Sequence, residues 1–164
     1  MVSKEIHDFG LEDLKKEYEK LRQSYNLPEF SVLNEIFDIE EVDVETEFLL
    51  RKIRRNISDK IAGYIRFIEA MINPTNAPLF LYKLIKKLEE DDKKVLTNIY
   101  ETLGDFEVEL IILDLNYNEQ KEAEFINRMF KVFNEQVRRI FLDVLKRLSN
   151  GGDKRKESSS SYCG

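Results

Sequence analysis

The sequence predicts an all-α protein: an antiparallel bundle of five to six helices gathered around a central apolar helix at about residues 91–115. Three observations carry this expectation. Apolar residues recur at alternating gaps of three and four through most of the chain, the spacing that builds one face of a helix. No stretch alternates apolar and polar residues with period two, as a half-buried strand would. Only six Gly and three Pro stand in 164 residues, few enough for long helices with short connections.

The first helix is predicted over residues 11–25, with Leu11, Leu14, Tyr18, Leu21 and Tyr25 on one side and Asp8 as its cap. Pro28 ends it, because the residue before a proline is driven out of the helical region. A short helix over 29–37 carries Phe30, Leu33 and Phe37, and an acidic loop follows at 38–43. The next helix, over 45–72, has its core stripe at Leu50, Ile53, Ile57, Ile61, Tyr64, Ile68 and Ile72. Glu47 with Arg51, and Arg55 with Asp59, are opposite charges four residues apart that would support it from outside. Gly63 offers room for a close helix approach. Pro78 introduces a short helix over 79–88, and the acidic corner Glu89–Asp92 suits the start of the central helix.

Within 91–115, Leu96, Ile99, Leu103, Phe106, Leu110 and Leu113 form one apolar seam, and Val108, Ile111, Ile112 and Leu115 form a second on a neighbouring face. Two seams predict a helix covered from more than one side. The seam runs through Gly104 unshifted, so one helix with a bend there is expected. The turn at 116–118 is short enough to fold the last helix, 119–148, back antiparallel. That helix has Asn118 as its cap and a stripe of Ile126, Met129, Phe130, Phe133, Val137, Ile140, Val144 and Leu148. The domain is thus placed at 1–148. The remainder, SNGGDKRKESSSSYCG at 149–164, holds no core positions and is predicted disordered.

One feature of the central stretch breaks the apolar pattern. Tyr100, Glu107 and Asp114 are spaced by seven and fall within about 40° of one another between the two seams. A carboxylate carried into a dry interior must be paired, hydrogen-bonded or protonated. Arg54, at the edge of its helix's apolar face, and Tyr100 are the expected partners, which gives a buried polar network of Tyr100, Glu107, Asp114 and Arg54. The competing reading is a divalent-metal site. The antiparallel turn brings Asp114 towards Glu119 and Glu122, with Glu107 two turns back, and hard cations prefer such oxygen ligands. Glu at a helix start is also common for its effect on the dipole, and this favours the structural reading.

Other function classes are narrowed by what is present. The sole histidine, His7, lies outside every predicted core, which removes His-dependent triads and the Glu-x-x-His di-metal bundle. Arg51, Lys52, Arg54 and Arg55 form the densest basic cluster and the one candidate nucleic-acid patch. The net charge of −6 and the flanking Glu47 and Asp59 argue for a salt-bridged face instead. No run approaches the roughly 20 apolar residues of a membrane span, no signal-peptide core is recognisable, and the single Cys163 cannot close an internal disulfide. A cytoplasmic location without cofactor is expected. Phe48 and Leu142 project from polar faces as leftover apolar positions. With no nucleophile–base pair or glycine-rich loop, the sequence points to a non-catalytic interaction or scaffold protein with a protein partner or a second copy.

Overall fold

A computed structural model of the chain describes residues 2–42 and 47–150. Every regular element among them is helical: α1 (Val2–Tyr25), α2 (Phe30–Phe37), α3 (Leu49–Ile72), α4 (Tyr82–Ile85), α5 (Glu90–Gly104), α6 (Glu107–Leu115), α7 (Glu119–Val132) and α8 (Arg138–Asn150). Ser149 and Asn150, placed by the sequence in the tail, instead continue α8; the rest of the predicted tail, 151–164, and residues 1 and 43–46 lie outside the described residues.

The hub of the bundle is α3, not the 91–115 stretch. It packs against α2, α4, α5 and α7, and buries Leu49, Leu50, Ile53, Ile57, Ile61, Ile68 and Met71. Around it, Leu96, Ile99 and Leu103 of α5 and Phe125, Ile126 and Met129 of α7 close the core. Leu14 and Tyr18 of α1, with Leu33 and Phe37 of α2, close the far side. The turn between α1 and α2 is fixed by the Tyr18 hydroxyl, which donates to the Pro28 carbonyl at 2.7 Å. Asp38 ends α2 in the left-handed region, φ 48°, and its N–H returns to the Asn34 carbonyl. Asp tolerates that backbone better than most residues.

The expected central helix is two helices, and this corrects the fold in a way that matters for function. Asp105 and Phe106 keep right-handed helical dihedrals, yet the Phe106 N–H tightens to the Leu103 carbonyl three residues back. Gly104 is the weakest helix former in the stretch, so the ladder gives way beside it. The turn lets Phe106 sit buried, edge-on to Phe125 at 5.6 Å. Beyond it, α6 lies at the margin of the bundle. Leu110 and Leu113 face inward, whereas Val108, Ile111, Ile112 and Leu115 are 67, 59, 52 and 84% exposed. The second seam is a surface.

Smaller departures have local causes. Helix α1 starts at Val2, so Asp8 lies inside it and does not cap it. The predicted helix over 79–88 is a 3-10 turn, Leu79–Leu81, followed by the single turn of α4. A Cβ added at Gly63 would meet nothing within 4 Å, so no close approach depends on that glycine. Asn118 does cap α7, accepting from the Lys121 N–H at 2.9 Å.

The last rod, 119–150, is continuous but not uniform. A π-helical segment, Phe133–Val137, separates α7 from α8. The buried positions Met129, Phe133, Val137 and Phe141 are all four apart, a run that would drift by about 120° around an α-helix. The wider π turn absorbs that drift. In consequence Phe141 is buried and Ile140, expected in the core, is exposed.

Candidate functional site

Two features stand out once the helices are placed: a buried ionic junction where α3, α6 and α7 meet, and the apolar outer side of α6 above it. The junction starts from α3. Arg54 falls on the buried face between Ile53 and Ile57 and is 1% exposed. Its Nε donates to Glu122 Oε2 at 2.7 Å and its Nη2 to Asp114 Oδ1 at 2.7 Å. Glu122, in the first turn of α7, is 0% exposed. Such a pair survives burial only with good geometry and with its remaining hydrogen-bonding capacity used.

The flanking arginines complete the arrangement. Arg55 donates to Asp114 from Nε at 3.2 Å and from Nη2 at 3.1 Å. Arg51 reaches the end of α6, with Nη2 donating to the Asp114 carbonyl at 2.7 Å and the Leu113 carbonyl at 3.3 Å. These are carbonyls that a helix C-terminus leaves without partners, and a cation there also complements the dipole. The Arg51 guanidinium lies 5.3 Å from the centre of the Tyr117 ring, within reach of a cation–π attraction. Three arginines within about one turn of α3 thus clamp α6 and α7 to the hub.

Electrostatics follow the geometry. The hydrogen bond from Arg54 lowers the Asp114 carboxyl below its ordinary range; partial burial opposes this, and the charges of Arg54 and Arg55 reinforce it. Burial alone would lower Arg54, but its bonds to Glu122 and Asp114 outweigh that and hold the guanidinium above its usual value. The Tyr117 hydroxyl is raised by burial and by nearby Glu119 and Glu122. On the other flank of α6, Glu109 pairs with Arg128, whose guanidinium lies 5.8 Å from the Phe106 ring centre.

The predicted residues are therefore only partly assembled. Arg54, Asp114 and Glu122 meet. Glu107, expected to point inward, is exposed and has no ionic or hydrogen-bonding partner among the described residues. Helix α6 turns outward past Gly104, and Glu107 goes with it. Tyr100 is half-buried on α5 and takes no part in the junction. Glu119 instead hydrogen-bonds the Tyr25 hydroxyl, which it raises. No group of three or more His, Cys, Asp or Glu among the described residues is arranged to hold a metal. The carboxylates of Asp114 and Glu122 face guanidinium groups, the wrong neighbours for a cation.

The basic patch is largely committed as well. Arg51, Arg54 and Arg55 reach across to α6 and α7, so the expected Glu47–Arg51 and Arg55–Asp59 supports do not form; Lys52 is half-buried between them. His7 falls within α1.

Two concavities lie among the described residues. One, of about 340 Å³, is lined by Glu17, Lys20, Leu50, Tyr117 and Glu119. The other, of about 430 Å³, lies between Tyr64, Phe67, Phe141 and Leu145 above Gly63. The first also takes in Glu47 and is lined mainly by charged and polar side chains, whereas the second is mainly apolar. No helix among the described residues is long and apolar enough to cross a membrane. Compared with protein-family models, curated proteins and solved structures, the chain matches none.

Proposed function

We propose that this chain is a non-catalytic helical interaction protein, acting in the cytoplasm as an adaptor or scaffold, whose docking surface is the outward side of α6. The supporting observation is the stripe Val108, Ile111, Ile112 and Leu115, spaced i, i+3, i+4 and i+7 and more than half exposed throughout. Scattered exposed aliphatics are ordinary on any protein. Four in register on one helix form a contiguous patch, and such patches mark interaction sites. The junction beneath supports the reading: Arg51, Arg54 and Arg55 hold α6 rigidly from behind, so its outer face is presented without an ordering cost on binding. Acidic flanks at Glu107, Glu109 and Asp114 disfavour an anionic lipid surface as the target.

The test is a photo-crosslinking residue placed at Ile111 of the full chain in cells, with Arg139 on the exposed side of α8 as the control position. Discrete adducts from position 111 and none from 139 are expected. No adduct from position 111 would overturn the reading.

A further inference from the structure

The outer face of α6 is complementary to itself, and we propose that its occupant is a second copy of this chain, with two α6 helices packed antiparallel about a two-fold axis. The inference rests on the interaction reading above and commits it to one partner.

Position on the helix carries the argument. The stripe is centred between Ile111 and Ile112, so antiparallel pairing lays Val108 of one copy beside Leu115 of the other and the two isoleucines against their equivalents. Leu110 and Leu113 mark the opposite, buried side, which places the stripe squarely outward. Glu107 and Asp114 lie seven residues apart, within about 20° of each other, on one flank of the stripe. A two-fold axis perpendicular to the plane of both helices keeps that flank on the same side in both copies. Glu107 stands about 7 Å to one side of the stripe's centre and Asp114 about 4 Å to the other. Antiparallel pairing therefore brings Glu107 of one copy beside Asp114 of the other, with Arg55 attached to it.

Charge then decides the match. Glu107 is an exposed carboxylate with no partner among the described residues. Arg55 is bonded to Asp114, yet its side chain is 55% exposed and Asp114 already receives Arg54. One copy offers an unspent carboxylate at the start of α6, and the other an arginine with donor capacity to spare at its end. The symmetry makes the contact twice. A parallel arrangement, with its two-fold axis along the helices, would instead turn that flank to opposite sides of the seam, away from the other copy's Arg55 and towards its Glu109.

The interface is small, because α6 spans only nine residues and the standard interface buries roughly 800 Å² per partner. A reversible dimer in the micromolar range is expected.

Sedimentation of the purified full chain over a concentration series tests this. The expected result is a mass that doubles with concentration, and Ile111→Glu should leave a monomer. Glu107→Arg and Arg55→Glu should each weaken the dimer about tenfold, and the two together should restore it. If Arg55→Glu does not fold, Glu107→Lys measured against Glu107→Gln gives the same order, with Lys the weaker dimer. A chain that stays monomeric at about 1 mM, or a dimer indifferent to Ile111→Glu, overturns the proposal. The photo-adduct separates the two readings. An adduct of another mass with a monomeric chain leaves the interaction reading standing and removes self-pairing, whereas a monomer without any adduct removes both.

Discussion

Arg54 and Glu122 form a doubly bonded ion pair, Nε to Oε2 at 2.7 Å and Nη2 to Oε1 at 3.3 Å, between two helices that both bury the contact completely. The pair joins residues 68 apart in sequence and fixes the rotation of α7 against α3. Its burial sets how each partner responds to removal.

Loss of one partner strands the other. Glu122→Leu or Arg54→Met should each destabilise the fold by roughly 3–5 kcal/mol, since a buried charge is left uncompensated. Urea denaturation of the single variants measures this, and a loss below about 1 kcal/mol would mean water reaches the junction.

Loss of both partners should be mild. In the double variant Arg54→Met/Glu122→Leu, Asp114 keeps Arg55 and the interior becomes uniformly apolar. The double variant should lie within about 1 kcal/mol of the parent, or above it. Simple addition of the two single losses would show that the residues act independently.

Asp114 makes the junction sensitive to acid. Its folded-state pKa lies below its unfolded value, so its contribution is fully present above the unfolded value of about 3.9 and is lost as pH falls further, through the folded value. Asp114→Asn should cost stability at neutral pH and flatten the decline below about pH 4. Its side chain is 46% exposed, so the effect should be small. Melting temperatures of both proteins between neutral pH and strong acid check the sign; an unchanged slope would contradict it.

The two sides of α6 should answer differently to truncation. Leu110→Ala removes a buried side chain and should cost roughly 2–5 kcal/mol, whereas Ile111→Ser should shift stability of the isolated chain by no more than about 0.5 kcal/mol. Equal losses, seen by denaturant melts at a concentration too low for association, would show that the stripe is covered within one chain.

The helical class and most of the core were legible because spacing alone fixes which residues share a face. Leu14, Tyr18, Ile53, Ile57, Leu96 and Ile126 are all buried where the spacing placed them. The junction was half legible. Arg54 stands out as a charge at the edge of an apolar stripe, but spacing does not rank its partners: it favours Glu107 beside Asp114, where the structure brings in Glu122. The error at 91–115 has one source. Periodicity reports that a seam exists, not whether another part of the chain covers it, and an interaction stripe has the same spacing as a core stripe. Gly104 was the available signal for a break. In the last helix, the three successive gaps of four from Met129 to Phe141 were the signal for a widened turn.

That widened turn frees the two ends of the last helix from a shared pitch. Upstream of Phe133, Glu122 must meet Arg54; downstream of Val137, Arg147 must meet Asp92 at the start of α5. A regular helix would lock the second meeting to the first, so that any drift at one end would be inherited by the other. With one loosened coil between them, each anchor finds its own angle. Deleting a single residue from that coil would close it into an ordinary helix with Phe141 still inside, and the clasp at the start of α5 would then be tied to the angle that Arg54 and Glu122 set.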